Sequence, residues 1–455
     1  MDQKIFKAYD IRGLAPGQLD ADTAYRVGQA LVKFSGAKAV VVGRDMRATS
    51  PELFEALARG VNSLGADVID IGQVTTPMLY FTVGAYDLHD AGAMITASHN
   101  PKEYNGIKLC LGDASPIGAT TGMAEIRDLA AAGPYPEVGE PGTIVETDIR
   151  SDYLDRLFEA VEPQYLAKLK VVTDTGNGME GAIIKDLLDR CRRVTYKTLC
   201  LEPNGNFPNH EANPLKEETL VMLAERVRRE GADVGFAFDG DGDRIGVVDE
   251  RGEVVRGDLL TALLSAELLP AEPGATVLYD VRSSMATAEA IAAAGGNPVM
   301  CPVGHGLIKP LLRQTGAIFG GELSLHFYFR DLYGCESSDV AMLLIMAMMS
   351  RLKKPLSEIV APLRRYHHSG EINSEVADPS LVFARLRESY GHEAATETTI
   401  DGLRYDFRDA VRPEEDWWFS VRSSNTEPLL RLNLEAKSRT KMESKQEELL
   451  GLIRA

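Results

Sequence analysis

Short apolar runs that stop at Gly, Asp or Ser recur along most of the chain, and amphipathic stretches with helical spacing separate them. The first third carries "KAVVVGRD", "DVIDIG" and "GAMITA", the second "LKVVTD" and "DVGFAFDGD", and the third "ATVLYDV" and "AIFGGE". Between them stand "TAYRVGQALVKF", "LVMLAERVRRE" and the Ala-rich "SMATAEAIAAA". Strand and helix periods alternating in this way predict an α/β architecture with parallel or mixed sheets. The three blocks are alike in kind, although no repeat stands out by identity. From about Gly370 the pattern changes: "TTIDGLRYDF", "DWWFSVRSSN" and "LLRLNLEAKS" read as strands, and "RTKMESKQEELLGLIRA" as a polar helix. That segment predicts a smaller α+β domain. Boundaries are expected near residues 131–142, 253–258 and 364–372.

Bulk properties exclude several function classes. The longest apolar stretch, inside "DVAMLLIMAMMSRL", is far shorter than the ~20 residues a bilayer crossing needs, and "MDQKIFKAYD" contains no apolar signal core. No membrane partner and a cytoplasmic location are expected. Five cysteines without a C-x-x-C pair fit reduced, mostly buried thiols better than disulfides or zinc. A formal charge of −18 argues against nucleic acid, whose sequence-independent binding needs clustered Lys and Arg. A small anionic substrate remains compatible with local basic residues.

Five stretches carry the chemistry. "AMITASHNPKEYNGIKL" ends an apolar run in Thr96, Ser98, His99 and Asn100 before Pro101, then returns to apolar residues. "VGFAFDGDGDRIGVVDE" spaces Asp239, Asp241 and Asp243 two apart, so that in an extended segment they project to one side. Crowded carboxylates need a cation, and oxygen-only ligands favour Mg²⁺ or Ca²⁺. An EF-hand fails here, because Arg244 stands where that loop needs Gly and the flanks read as strands; an acidic turn without metal is the bland alternative.

"LKVVTDTGNGMEGAIIKDLL" contains G-x-G-x-x-G at Gly176, Gly178 and Gly181, with Glu202 about twenty residues on, the pattern of a dinucleotide-binding oxidoreductase. Asp174 opposes that reading, since its charge would repel a pyrophosphate at the helix N-terminus. "FGGELSLHFYF" alternates Glu322, Ser324 and His326, as a strand presenting polar groups to sugar hydroxyls would, or as an ordinary edge strand would. "VRSSNTEPLLRL" packs Arg422, Ser423, Asn425 and Thr426 into one loop, the donor set for a phosphate dianion or simply a polar turn before Pro428.

Together, "TASHNP", "DGDGDR", "GELSLH" and "RSSNTEP" resemble, in order, the phosphoserine, metal, sugar and phosphate loops of the α-D-phosphohexomutase family, most closely its phosphomannomutase/phosphoglucomutase members. "YDIRG", "GRDMRATSP", "NGIKL", "PNHEANP" and "VGHGLIKP" extend the resemblance over nearly the whole chain. The resemblance implies four domains around a central cleft, at 1–145, 146–256, 257–369 and 370–455, the first three of one shared α/β topology with mixed sheets and the last a smaller α+β domain. It also implies a reversible phosphoryl transfer between O1 and O6 of mannose or glucose phosphates. Phospho-Ser98 would be the donor and a hexose 1,6-bisphosphate the intermediate and activator.

Residue by residue, the resemblance implies Mg²⁺ on Asp239, Asp241, Asp243 and a Ser98 phosphoryl oxygen. Arg12, Lys108 and Arg244 would line the reacting end, Lys108 as a candidate proton acceptor, with His99 and Asn100 steadying the phosphoryl oxygens. Glu322 and Ser324 would bind O3 and O4 of the sugar, with His305, His326 and Arg282 in the cleft and Lys309 nearby. Arg422, Ser423, Asn425 and Thr426 would hold the other phosphate, while Arg431 lies along the next strand. Arg282 stands where relatives often have Lys, and Leu325 where they usually have Gly. Leu323, apolar like the Met common in mannose/glucose members, points away from the alternative of a phosphoglucosamine mutase. Contacts to O3 and O4 do not distinguish glucose from mannose, so dual specificity is expected, in a monomer or homodimer whose partner is a small phosphosugar.

Overall fold

The structure is a computed structural model that describes residues 1–423 and 429–455. The chain forms two compact units, one of residues 1–257 with 304–357 and the other of residues 258–303 with 358–455.

The first unit contains two mixed sheets of like construction. In the six-stranded sheet the order is Ile11–Leu14, Tyr104–Leu111, Ala91–Ile95, Ala39–Arg44, Asp67–Gln73, Ile144–Glu146. Ala39–Arg44 runs parallel to both Asp67–Gln73 and Ala91–Ile95, whereas Ala91–Ile95 returns as an antiparallel hairpin through Tyr104–Leu111. The five-stranded sheet repeats the scheme: Lys170–Asp174 runs parallel to Thr195–Leu199 and to Val234–Phe238, and Val234–Phe238 turns back through Ile245–Asp249. A third, antiparallel group joins Phe319–Gly321, Phe327–Phe329 and Cys335–Glu336. The central strands are buried on both faces, which is why Ala91–Ile95 and Val234–Phe238 read as unbroken apolar runs. The turns of the first two hairpins hold Ser98 and Asp239, Asp241 and Asp243.

The expected helices form over Ala21–Ser35, Val221–Glu230 and, in the second unit, Met285–Ala293. The long apolar stretch becomes the helix Ser338–Leu352, capped by Ser337 and buried over nearly its whole length. Among the described residues no helix is long and apolar enough to cross a membrane. None of the five cysteines is in a disulfide; four are buried and Cys200 is half-buried.

The second unit pairs Thr276–Asp280 in parallel with Asn297–Cys301. It also holds an antiparallel sheet built on Trp417–Ser423 and Leu429–Ala436, with Leu403–Phe407 beside the former. Helices Pro379–Tyr390 and Arg439–Arg454 supply Leu386, Tyr390, Leu449 and Ile453 to the core of that sheet. This is the smaller α+β segment that the sequence predicts.

Candidate active site

Ser98 sits in the turn between Ala91–Ile95 and Tyr104–Leu111, only 2% exposed, with a left-handed backbone at φ 52°. A non-glycine residue in that region needs outside support. Arg47 provides it. Its buried guanidinium donates to the carbonyl oxygens of Ser98 (2.8 Å), Asn100 (2.7 Å), Pro101 (2.8 Å) and Tyr104 (3.0 Å). Asp45, 3.1 Å from Arg47 Nε, balances the charge, and Ser50 donates to Asp45 at 2.6 Å. The Ser98 amide also donates to Thr96 Oγ1 at 2.9 Å. Arg47 stands in "GRDMRATSP", but no local pattern announces its role, because its partners lie 51 to 57 residues away.

The turn between Val234–Phe238 and Ile245–Asp249 brings in the acids. Asp239, Asp241 and Asp243 are fully buried, and one oxygen of each lies within 4.8 Å of the others. Their convergence differs from the expected extended segment: the chain curls here, with Gly242 at φ 72° and the amides of Asp243 and Arg244 donating to Asp239 Oδ1. Gly240 is needed for close approach, since a Cβ there would lie 2.3 Å from the Ser98 carbonyl oxygen. The two hairpin turns therefore touch backbone to backbone, and Ser98 Oγ donates to Asp239 Oδ2 at 2.7 Å.

The electrostatics are lopsided. Burial, then Asp243 and Asp241, push the Asp239 carboxyl well above its usual range. Burial also acts to raise Asp243, but Lys108 and then His326 overcome it and hold that carboxyl well below. Lys108, on Tyr104–Leu111, reaches Asp241 Oδ2 at 2.7 Å and Asp243 Oδ2 at 2.5 Å. Burial disfavours its charge, yet Asp241 and Asp243 outweigh burial and keep it protonated. Thr76 donates to Asp241 Oδ2 at 2.6 Å, while Asp241 Oδ1 is buried with no hydrogen-bond partner among the described residues. A buried all-oxygen donor set with an orphaned acceptor fits a hard divalent cation.

Arg12 donates to Asn100 Oδ1 at 2.7 Å and pairs with Asp10. Arg244 Nε lies 3.2 Å from His326 Nε2 and 3.9 Å from Asp239 Oδ2. His99 Nδ1 is 3.0 Å from Ser98 Oγ, and burial followed by Arg244 and Arg12 holds its ring neutral.

Residues 322–326 form a turn between Phe319–Gly321 and Phe327–Phe329, correcting the expectation of an alternating strand. The reason is Leu325, which takes φ 71° and folds the chain back so that its amide donates to the Glu322 carbonyl oxygen. Glu322 accepts from the Gly304 amide (2.8 Å) and Tyr328 Oη (2.6 Å). His326 bridges Glu322 at 3.2 Å and Asp243 at 3.3 Å. Burial and Arg244 press its pKa down, but Asp243 and Glu322 bring it up to about 9. Ser324 Oγ lies 3.3 Å from His326 Nδ1, and His305 sits between Tyr9 and His326 with ring centroids 5.3 and 6.2 Å away. Lys309 is used up elsewhere: it is buried, 2.6 Å from Glu336 and over the Tyr80 ring.

The remaining expected residues belong to the second unit. Arg282 forks onto Asp280 at 2.7 and 3.2 Å, and Arg422 reaches Asp401 at 3.2 Å. Ser423 is exposed at its strand end, and Arg431 stands opposite Arg422 on the next strand, as expected. Asn425 and Thr426 lie outside the described residues.

The glycines of the dinucleotide-like motif meet protein backbone. A Cβ at Gly181 would lie 1.8 Å from the Leu201 carbonyl oxygen, and one at Gly178 2.8 Å from that of Asp239. The turn packs against Leu201 and against the Asp239–Gly240 backbone.

Four family models match in order: phosphoglucomutase/phosphomannomutase α/β/α domain I over residues 3–135, domain II over 151–252, domain III over 256–366 and the C-terminal domain over 371–452. A phosphomannomutase of Escherichia coli K12 is 38% identical over 456 residues, covering 98% of each chain. "Phosphohexose mutases" of Xanthomonas campestris pv. campestris are 40% identical over 454 residues, covering 99% of each. A crystal structure of a phosphoglucomutase/phosphomannomutase family protein from Burkholderia thailandensis superposes with a TM-score of 0.89 at 33% identity, covering 99% of this chain and 97% of that one.

Proposed function

The chain belongs to the phosphoglucomutase/phosphomannomutase family and is a phosphohexomutase, and from that premise we propose that Ser98 carries the phosphoryl group exchanged between the 1- and 6-phosphates of mannose and glucose. The observation that carries the reading is the 2.7 Å bond from Ser98 Oγ into a buried triad of carboxylates. A phosphoserine there brings a charge of about −1.5 to −2 beside three acids, which only a cation makes tolerable. Asp239, Asp241 and Asp243 would hold Mg²⁺, which when bound offsets that charge and the charge of the transferring phosphoryl group.

The chain's own residues do the rest. Phospho-Ser98 gives its phosphoryl group to the free hydroxyl of a hexose 1-phosphate: the P–O bond to Ser98 breaks, one to the sugar forms, the hydroxyl's proton ends on Ser98 Oγ, and a hexose 1,6-bisphosphate results. After the bisphosphate turns around, its other phosphoryl group returns to Ser98 and the 6-phosphate leaves. On return the Ser98 hydroxyl must lose its proton, and neutral His99 Nδ1 and Asp239 Oδ2 are the acceptors within reach. Lys108, paired with Asp241 and Asp243, supplies positive charge at the reacting end and, once a cation takes those carboxylates, is the candidate proton acceptor there. Arg12 and Arg244 flank Ser98 as donors to phosphoryl oxygens. Glu322, Ser324, His326 and His305 form the sugar-recognition side, Glu322 accepting from O3 and O4. Arg422, Ser423, Asn425 and Thr426 are assigned to the non-reacting phosphate, and Arg282 to the substrate cleft, by their motifs alone.

Intact-protein mass spectrometry tests the reading. One phosphoryl group per chain, exchanged by hexose 1,6-bisphosphate and absent in Ser98→Ala, is expected; saturable NAD binding without any such group contradicts it. Assays on mannose, glucose and glucosamine 1-phosphates should give comparable kcat/KM for the first two and far less for the third.

A further inference from the structure

Strand Lys170–Asp174 ends on an aspartate that the reaction does not use. Asp174 Oδ2 lies 3.1 Å from His210 Nε2, and Cys200 Sγ lies 3.7 Å from the same nitrogen. The three donor atoms fall within 4.8 Å of one another. A tetrahedral ion with ordinary zinc bond lengths sets ligand edges of about 3.4 Å between N and O and about 3.6 Å between N and S. The observed separations are close to these before any ion has drawn the ligands in.

Orientation supports the same conclusion. His210 Nδ1 is 2.8 Å from the Glu211 carbonyl oxygen, which only accepts, so Nδ1 carries a hydrogen. In the neutral ring the Nε2 lone pair then faces Asp174 and Cys200, the outer hydrogen bond by which metal sites fix a histidine. Asp174 Oδ1 is taken by the Gly176 amide at 3.0 Å, which fixes the carboxylate with Oδ2 toward the histidine. Cys200 holds a left-handed backbone at φ 49°. The sequence shows no such site because the cysteine has no C-x-x-C partner and the donors come from three segments, 10 and 36 residues apart.

We propose that Asp174, Cys200 and His210 bind a thiophilic divalent cation of the zinc class, at a site separate from the three-aspartate cluster, with water or another ligand in the fourth position. Without an ion, His210 Nε2 stands 3.1 Å from Asp174 Oδ2 and 3.7 Å from Cys200 Sγ. Metal entry needs the thiolate, so it releases the Cys200 proton. The consequence reaches Ser98 through packing. Residues 204–213 carry His210, Gly205 and Phe207; a Cβ at Gly205 would lie 2.6 Å from Arg47 Cα, and the Arg47 guanidinium lies over the Phe207 ring. An ion at His210 thus fastens the loop that packs on the arginine holding the Ser98 carbonyl.

The test uses the full chain, stripped with chelator, with its oxygen cluster then saturated with Mg²⁺ and Co²⁺ titrated in. A near-ultraviolet thiolate-to-cobalt charge-transfer band is expected, saturating at one Co²⁺ per chain, bleached by Zn²⁺ and accompanied by proton release. The band should be absent in Cys200→Ser and Cys200→Ala, form with affinity lowered about 10-fold or more in His210→Gln, and persist in Asp241→Asn. Far-ultraviolet circular dichroism confirms that each variant is folded, and the two Cys200 variants serve as independent checks. No band in the wild-type chain, or an equal band in a folded Cys200 variant, overturns the proposal.

Discussion

Two parallel neighbours in one sheet, Lys170–Asp174 and Val234–Phe238, both deliver an aspartate to the same end and both run on into glycine. Their fates differ because of what comes next. After Phe238 one short turn supplies three carboxylates, all oxygen and all buried, so the cluster suits a hard cation and a phosphoryl group. After Asp174 the turn supplies only packing glycines, and Asp174 takes a nitrogen and a sulfur from distant segments. Strand and turn place a carboxylate; the partners decide its chemistry.

That contrast can be broken by substitution. The largest effect is expected for Asp239→Asn, with kcat falling on the order of 10³-fold or more and the Mg²⁺-dependent gain in melting temperature lost. Cys200→Ser, at the end of Thr195–Leu199 on the far side of Lys170–Asp174, should change kcat by about twofold or less under the same saturating Mg²⁺. Equal losses in steady-state assays would erase the distinction between the two aspartates.

Next in size is Arg47→Lys. A lysine is a point charge and cannot fork across four carbonyl oxygens, so Ser98 shifts although no reacting group is removed. A fall in kcat of about 10- to 100-fold is expected, with Mg²⁺ affinity little changed.

Glu180, on the turn after Asp174, adds a third kind of buried carboxyl. Burial, then Asp339, raise its pKa well above the ordinary glutamate value of 4.5. A raised carboxyl means the folded state holds the proton more tightly than the unfolded state, so this group costs stability as pH rises above 4.5 toward its folded pKa. Glu180→Gln removes the titration. Denaturant midpoints should favour the variant increasingly as pH rises above 4.5; a difference independent of pH contradicts the assignment.

The smallest effect is expected at Leu325. Its left-handed backbone costs about 1 kcal/mol, which glycine would relieve. The side chain is only 5% exposed, however, and losing a buried leucine costs about 2–5 kcal/mol. Burial wins, and Leu325→Gly should lower stability by about 1–4 kcal/mol, read from urea unfolding.

Much of this was legible where signal and structure share a short segment. The strands before Ser98 and Asp239 are continuous apolar runs that stop at the reactive residue, and both form as expected. That three carboxylates converge follows from "DGDGDR", but the manner does not, because a two-residue spacing looks alike in a strand and in a turn with glycine at φ 72°. The polar alternation of "GELSLH" misleads for the same reason, since nothing in a leucine announces a left-handed backbone. Lys108 bonding to acids 133 and 135 residues away, and Arg47 gripping the Ser98 turn, depend on how sheets meet, which no local pattern encodes.

The most direct measurement follows the phosphoryl group itself. Protein labelled on Ser98 is mixed with unlabelled hexose 1-phosphate and Mg²⁺ and quenched within one turnover. The account predicts label in hexose 1,6-bisphosphate at a rate at least equal to kcat, and no labelling of Ser98→Ala. Label that stays on the protein while sugar phosphate turns over contradicts it.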